Sequence, residues 1–435
     1  MKAVLLAAGK GKRLRPITAT RPKPLIPIAG KPLLEHTILS LKEAGINSIL
    51  LIVGYKQEMI KEYFKDGVEN FGVKIEYITQ TEHLGTAHAA KYAMDFVGND
   101  NFLLMYGDIL VEGRIFKNLI EEFRLLKPEG IISLIRVKNP EDYGIITLNN
   151  NGFVEKVTEK PAKALNLGNL ANAGIYVFTP LIFKAIMETK KSTRGEYEFT
   201  DSMEILISQF GSKIKGYILE DFWSDIGLPW QVLEANAYLL DKLTYETKGT
   251  IEKNVHMEDN VYVGENTLIR AGSYIKGPCF IGKDSLIGPN AFIRPYSFIS
   301  DNCHIGMSEI KNSIILSNSN VPHFNYVGDS IICEEVNLGA GTKTSNLRFD
   351  NKTIKMNING KSINSNRRKL GVIIGANSQT GINTSIMCGR KVGENSIIGA
   401  HTFINEDVPS NSLYFQDSNG KLVRKSNPFY DSGTN

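Results

Sequence analysis

The chain has 435 residues, 42% of them hydrophobic and 22% charged, with 50 basic against 46 acidic side chains. That length exceeds one ordinary domain and predicts two large ones. The charge balance argues neither for nor against a nucleic-acid partner, and no apolar run approaches a membrane span. Met1–Ala8 runs straight into a strand-like segment, with no signal or transit peptide in view, so the expectation is a cytoplasmic protein without nucleic-acid or membrane partners.

Residues 1 to about 230 alternate apolar strands with amphipathic helices. Strands are predicted over 2–7, 48–53, 74–79 and 101–105, and helices over 32–44, 58–64 and 86–96. Such alternation predicts an α/β domain, a Rossmann-like, mostly parallel sheet with helices on both faces. Ligands of these sheets sit beyond the carboxyl ends of the strands, which directs attention to the loops there. The first strand runs into Leu6-Ala7-Ala8-Gly9-Lys10-Gly11-Lys12-Arg13. Small residues after a strand let backbone N–H groups approach phosphate oxygens. In Arg21-Pro22-Lys23-Pro24, flanking prolines stiffen the chain around a lysine. Rigid cations beside such a loop suit phosphoryl chemistry, where positioning and charge neutralisation do most of the work. Met105-Tyr106-Gly107-Asp108 and Trp223-Ser-Asp225 each put a carboxylate by a strand. Paired with a phosphate loop, two carboxylates favour Mg²⁺, a hard cation that takes oxygen ligands.

Together these segments resemble the sugar-1-phosphate nucleotidylyltransferase family over essentially all of residues 1–230. Lys12 stands where the family's loop usually has Thr. The resemblance implies that Leu6, Ala7, Ala8 and Gly9 hold the nucleotide with Tyr106 and Gly107, and that Arg13 and Lys23 are catalytic, stabilising the triphosphate. It implies that Gln80, Gly85 and Thr86 read a pyrimidine base, UTP or dTTP. Asp108 and Asp225 are the implied Mg²⁺ ligands. Gly144, Glu159, Lys160, Asn172 and Glu196 match the family's sugar-phosphate pocket, for glucose-1-phosphate or N-acetylglucosamine-1-phosphate.

A connecting helix is predicted from Trp230 to Leu243, leading through a linker assigned to 231–250. From Ile251 to Ile305 every sixth residue is Ile, Val or Met. These types make up on the order of one residue in five of ordinary chains, so ten in succession is not chance. Four residues after each of the first nine comes a Val or a small residue, among them Thr267, Ser273, Cys279, Ser285 and Cys303. A period of six fits neither a helix nor an alternating strand; it marks a left-handed parallel β-helix of about seven triangular coils over 251–410. The four cysteines, all in this half and none in a CxxC pair, read as buried free thiols. The beat slips by four residues before Ile315 and breaks over 346–371. There Asn359-Gly360 between two alternating segments predicts a hairpin arm projecting from the prism, with Lys352, Lys355, Lys361, Arg367, Arg368 and Lys369 upon it. The tail, 411–435, is polar, with Asp431–Asn435 expected to be disordered.

A β-helix joined to such a domain has two meanings, a non-catalytic assembly or regulatory module, or an acetyltransferase. His323-Phe-Asn-Tyr326-Val-Gly-Asp329, then Asn337-Leu-Gly-Ala340-Gly-Thr342, resemble the acetyltransferase site of the bifunctional glucosamine-1-phosphate acetyltransferases/N-acetylglucosamine-1-phosphate uridylyltransferases, in their archaeal form. The resemblance implies acetyl-CoA as co-substrate and His323 as the general base for the sugar amine. Arg294, Lys311 and Tyr326 would hold the sugar phosphate, and Asn337 and Asn346 would complete the pocket. Ala340, Ala376 and Ala400 would lie near CoA, and Lys352 and Lys355 would contribute from the arm. Glucosamine-1-phosphate is the first choice of acceptor and galactosamine-1-phosphate the alternative. Flat, repetitive prism faces, and the family, point to a homotrimer.

Overall fold

The computed structural model describes residues 1–161 and 168–430. The chain divides into two compact units. Unit 1 comprises Met1–Lys10, Pro22–Leu25 and Leu33–Asp225; unit 2 comprises Gly11–Arg21, Ile26–Pro32 and Ile226–Asn435. The second half of the glycine loop, from Gly11, and the flanks of the Pro-Lys-Pro segment therefore belong to unit 2, a division the sequence boundary at residue 230 does not contain.

The strands of unit 1 are β1 (Lys2–Ala7), β2 (Ser48–Val53), β3 (Lys74–Thr79), β4 (Phe102–Tyr106), β5 (Ile109–Val111), β6 (Gly130–Arg136), β7 (Gly144–Leu148), β8 (Val154–Glu159), β9 (Leu170–Phe178), β10 (Ile214–Ile218) and β11 (Trp223–Asp225). β4, β1, β2 and β3 pair in that order, all parallel. β9 then adds antiparallel to β4, and β6, β7 and β8 extend the sheet beyond it. Successive side chains of a strand face opposite ways. Accordingly Ala3 and Leu5 enter one core with Leu34, Ile38, Phe64 and Phe116, whereas Val4 enters a second with Ala87, Phe183, Phe199 and Met203. These partners come from α1 (Leu33–Glu43), α2 (Gln57–Phe64), α3 (Thr86–Lys91), α4 (Arg114–Leu126), α5 (Ile182–Glu188) and α6 (Phe199–Ser208). Helices thus cover both faces. The helix expected over 86–96 stops at Lys91, and a separate short turn of helix runs from Met94 to Val97.

Unit 2 opens its C-terminal part with α7 (Pro229–Leu240). Asn236 on this helix is 1% exposed; its Oδ1 accepts from Ala29 N–H at 3.0 Å and its Nδ2 donates to Tyr296 O at 3.1 Å. The six-residue beat then becomes a left-handed parallel β-helix. The column Ile269, Ile275, Ile281, Ile287, Ile293, Ile299 and Ile305 is fully buried, and equivalent positions pair 18 residues apart, as Leu268 with Leu286. Methylene burial of this kind contributes about 25 cal/mol per Å² of apolar surface. The small positions have a separate task. Thr267 Oγ1 accepts from Ser285 N–H at 3.0 Å, and Ser285 Oγ from Cys303 N–H at 3.1 Å, so hydroxyls inside the prism satisfy backbone donors of the next coil. Corners require positive φ, and asparagine tolerates it. Asn377, Asn395 and Asn411 adopt φ of 58, 57 and 58°, and their amides chain together at 3.0 and 2.9 Å. All four cysteines are free and buried, and burial pushes the Cys279 and Cys303 thiols up to about 12.

The four-residue slip has a structural cause. β12 (His304–Lys311) and β13 (Asn320–Gly328) run through a corner as long bent strands, and their residues pair 16 or 17 apart. The hairpin forms as expected, β14 (Lys355–Ile358) pairing with β15 (Lys361–Asn364) around Asn359-Gly360, both at positive φ. It does not project freely, however. Ile354, Met356 and Ile358 are buried while Lys352, Lys355 and Lys361 are exposed, because the alternating apolar face is covered. Ile354 and Lys355 approach Gly389 so closely that a Cβ there would meet Lys355 O at 2.4 Å. Nor is the segment after Asn411 a loose tail. β16 (Ser412–Gln416) continues the prism in parallel with Ile397-Ile398 and turns back antiparallel into β17 (Leu422–Ser426). The expected disorder of 431–435 lies outside the described residues.

Candidate active sites

In unit 1 the parallel strands end together. Leu6 is in register with Tyr106, and Gly107 N–H donates to Leu6 O at 2.9 Å. Ala7 and Ala8 are buried, whereas Gly9 is exposed with open space where a side chain would stand. Gln80, 6% exposed, follows β3, its N–H held by Val53 O at 2.8 Å. Gly85 and Thr86 are stapled to the segment before α6. Tyr197 N–H donates to Leu84 O at 2.7 Å, and Phe199 N–H to Thr86 Oγ1 at 3.0 Å.

Lys23, 8% exposed, extends its ammonium to Asp108 Oδ2. Asp108 immediately precedes β5, and β5 pairs antiparallel with β11 so that Asp225 lies opposite Ile109. Lys23 and Asp108 are therefore paired at the start of β5, and Asp225 closes the strand adjoining it. Among the described residues no group of three or more His, Cys, Asp or Glu could by itself enclose a metal. Two hard oxygen donors fit Mg²⁺, which keeps several waters and shares its ligands with substrate phosphates. Arg13, in unit 2, is exposed and lies over Gly227; a Cβ at that glycine would meet Arg13 Nη2 at 2.7 Å.

Of the residues expected for the sugar pocket, the structure brings Gly144, Glu159 and Asn172 together and leaves one apart. Gly144 pairs with Glu159 across β7 and β8, and a Cβ on Gly144 would meet Glu159 Oε2 at 2.9 Å and Asn172 Cβ at 3.9 Å. Asn172 donates to Tyr176 Oη at 2.7 Å, which donates to Tyr106 Oη at 3.1 Å. Burial raises the Tyr106 phenol to about 12 and lifts Glu159 above the ordinary carboxylate range, against the Arg194 and Lys160 charges and with that of Glu198. The exception is Glu196, which is exposed. The carboxylate joined to this cluster is Glu198, held by Arg194 at 2.7 Å while the same guanidinium reaches Glu159 at 3.2 Å. Sequence reading passes over Arg194 and Glu198; both flank the Gly195-Glu-Tyr197 segment, and the signal available was two charges beside it.

In unit 2 the second set gathers on β12, β13 and the start of the insertion. Arg294 Nη1 pairs with Glu309 at 2.7 Å and Lys311 Nζ with Asp329 at 3.0 Å. Asn346 Nδ2 donates to Tyr326 Oη at 3.1 Å. Burial raises the Tyr326 phenol; the Asn346 hydrogen bond lowers it, and the Glu309 and Asp329 charges add to the rise. Tyr326, Lys343, Asn346 and Leu347 line a groove with Ile386 and Met387. His323 is exposed on the bent strand, its carbonyl accepting from Gly341 N–H at 2.8 Å. His304, one coil earlier, is held below the ordinary imidazole value by burial and by the His323 charge. Ala340 and Ala400 stack on the His323 corner through Asn383 N–H to Ala340 O at 2.7 Å and His401 N–H to Ile382 O at 2.8 Å. Ala376 is elsewhere, 1% exposed on the corner of Glu334 and Asn377. Asn337 is exposed, in register with Asn320 one coil before.

The nucleotidyl transferase family model matches residues 2–242, and a GMPPB C-terminal domain model matches residues 275–368. The chain is 46% identical over 417 residues to the bifunctional protein GlmU of Methanocaldococcus jannaschii, covering 96% of this chain and 98% of that one. It is 42% identical to a bifunctional sugar-1-phosphate nucleotidylyltransferase/acetyltransferase of Sulfurisphaera tokodaii, with 94% and 98% covered. Among solved structures it resembles a UDP-glucose pyrophosphorylase complexed with UDP-glucose, at 25% identity and a TM-score of 0.51, covering 56% of this chain and 99% of that one. The chain belongs to the archaeal-type family of bifunctional sugar-1-phosphate nucleotidylyltransferase/acetyltransferases.

Proposed function

We propose that this enzyme transfers an acetyl group from acetyl-CoA to the amine of glucosamine-1-phosphate, and couples N-acetylglucosamine-1-phosphate to UTP, releasing pyrophosphate. The observation that carries this reading is the presence of two separate polar clusters, each suited to one half-reaction. In the acetyl transfer, the sugar nitrogen attacks the thioester carbonyl, His323 takes the nitrogen's proton, and CoA departs as the thiol. Arg294, Lys311 and Tyr326 hold the sugar phosphate, with Asn346, Asn337 and the exposed Lys352 and Lys355 supporting it. Ala340 and Ala400 give CoA a small-residue surface; Ala376, buried on another corner, has a weaker claim.

In the uridylyl transfer, an ionised sugar-phosphate oxygen attacks the α-phosphorus in line, so no covalent intermediate is needed. Leu6 to Gly9 receive the nucleotide, Gln80, Gly85 and Thr86 read the base, and Lys23 and Arg13 neutralise the triphosphate. Asp108 and Asp225 are the residues that would hold Mg²⁺, which supplies charge neutralisation at the phosphates. Lys23 already bonds Asp108, so the lysine and the metal-binding carboxylate are positioned by each other. Gly144 leaves room for the sugar beside Glu159 and Asn172. A closed trimer is the assembly we assign.

The test is a panel crossing UTP and dTTP with glucose-, glucosamine-, galactosamine- and N-acetylglucosamine-1-phosphate, with and without acetyl-CoA. Free thiol released with glucosamine-1-phosphate, and pyrophosphate released from UTP with the acetylated sugar, are expected. Absence of free thiol with every amino sugar removes the acetyltransferase reading.

A further inference from the structure

Among the carboxylates of unit 2, Asp329 has the largest set of partners in the acetyltransferase cluster. It follows β13 at φ 50°, and its side chain is 3% exposed. Oδ2 accepts from Lys311 Nζ at 3.0 Å and from Asn346 Nδ2 at 2.6 Å, and Oδ1 accepts from Asn312 Nδ2 at 2.7 Å. A buried carboxylate is tolerable only when paired and hydrogen-bonded to this degree. Its backbone is engaged as well. The N–H donates to Lys311 O at 2.9 Å, and the carbonyl accepts from Gly371 N–H at 2.7 Å.

Asn346 and Gly371 are the first and last residues of the insertion that breaks the repeat. Leu370 N–H closes the same junction on Asn346 O at 3.2 Å. One residue thus grips both ends of the segment carrying Lys352 and Lys355, its side chain taking the entry and its carbonyl the exit. Through Asn346, which also donates to Tyr326 Oη, the grip reaches the phenol at the groove. Through Lys311 it aims a cation that would otherwise range over several rotamers.

We propose that Asp329 is a positioning residue for acetyl transfer: it clasps the two ends of the basic insertion and fixes Lys311 and Asn346 in the pose that receives the sugar phosphate. This rests on the reading of Lys311, Asn346 and Tyr326 as the sugar-phosphate site. Asp329 itself touches no substrate in this account. Its removal should therefore appear in the KM for the amino-sugar phosphate and leave the acetyl-CoA site undisturbed.

The experiment is a charge swap, read by thiol release with glucosamine-1-phosphate and acetyl-CoA on the full-length enzyme. Asn346→Asp sets two carboxylates against each other and should raise the KM for glucosamine-1-phosphate about tenfold, the worth of one charge-assisted hydrogen bond. Asp329→Asn alone should do the same. The double variant Asn346→Asp/Asp329→Asn restores a donor facing a carboxylate and should return the KM to within about threefold of wild type. Uridylyl transfer by the same preparations, and the KM for acetyl-CoA, should stay within about twofold. Should Asp329→Asn fail to fold, the Asn346→Asp variant and its rescue by the swap still decide. Multiplying losses in the double variant, or an unchanged KM in Asn346→Asp, overturn the clasp. Unchanged KM in both Asn346→Ala and Lys311→Met would instead overturn the site reading on which it rests.

Discussion

Unit 1 and unit 2 gather their candidate site side chains by different means. In unit 1 the residues come from seven or more segments between Leu6 and Asp225, and the sheet order places them: strand ends that are far apart in sequence lie side by side. In unit 2 the site is built where a regular repeat is shortened. Coils of 18 residues become 16 or 17, two strands run through the corner and carry Lys311, His323 and Tyr326, and Arg294 joins them from the coil before by pairing with Glu309. One unit relies on topology, the other on a departure from periodicity. The lesson is that a perfect repeat leaves no room for chemistry, because inward positions must be small or aliphatic and corners must be Asn-like.

That comparison breaks most readily at the two residues proposed as catalytic. His323→Ala should lower acetyl transfer by about 10²–10⁴-fold, the usual worth of a general base, while pyrophosphate release from UTP and N-acetylglucosamine-1-phosphate persists. Lys23→Ala should lower uridylyl transfer by roughly 10²–10³-fold, the loss of a charge-stabilising group, with thiol release retained. Stability of the unit 2 prism comes next. Ile287→Ala, in a fully buried stack, should cost about 2–5 kcal/mol by transfer and cavity effects, read from denaturant unfolding. Ser285→Ala should cost about 1 kcal/mol, because the hydroxyl satisfies Cys303 N–H inside the prism.

The smallest effect is a pH shift in unit 1. Burial raises the Glu159 carboxyl, so the folded state holds that proton more tightly than the unfolded chain. Lowering pH through that window adds stability from this group, and raising it removes that contribution. If ionised Glu159 accepts a sugar hydroxyl, kcat/KM for the sugar phosphate falls on the acid side above the ordinary Glu value of about 4.3. Glu159→Gln should abolish that limb; a limb unchanged in the variant assigns it to another group.

Much of this was legible in sequence, for identifiable reasons. β1, β2 and β3 lie where apolar runs bounded by turns predict, and the buried Ile column follows the six-residue beat. The Asn359-Gly360 turn was legible from local backbone chemistry alone. What sequence did not show depends on three-dimensional company. Nothing local distinguishes Glu198 from Glu196; burial against Arg194 does. The hairpin's alternation signals a covered face, yet its run of cations reads as an exposed arm. Ala376 has the same residue type as Ala340 and Ala400, and only the coil order shows that it lies on another corner, beside Glu334 and Asn377. The membership of Gly11–Arg21 in unit 2 follows from tertiary packing, which no boundary in composition marks.

The central claim is that two reactions run at two separate sites in one chain. It is tested most directly by mixing Lys23→Ala and His323→Ala enzymes with glucosamine-1-phosphate, acetyl-CoA and UTP. Separately, the first should release thiol with little pyrophosphate, and the second should release neither. Together they should restore UDP-N-acetylglucosamine formation, because the acetylated sugar diffuses from one site to the other. Thiol release by His323→Ala at the wild-type rate, or failure of the mixture to form the sugar nucleotide while each variant keeps its intact activity, would contradict the account.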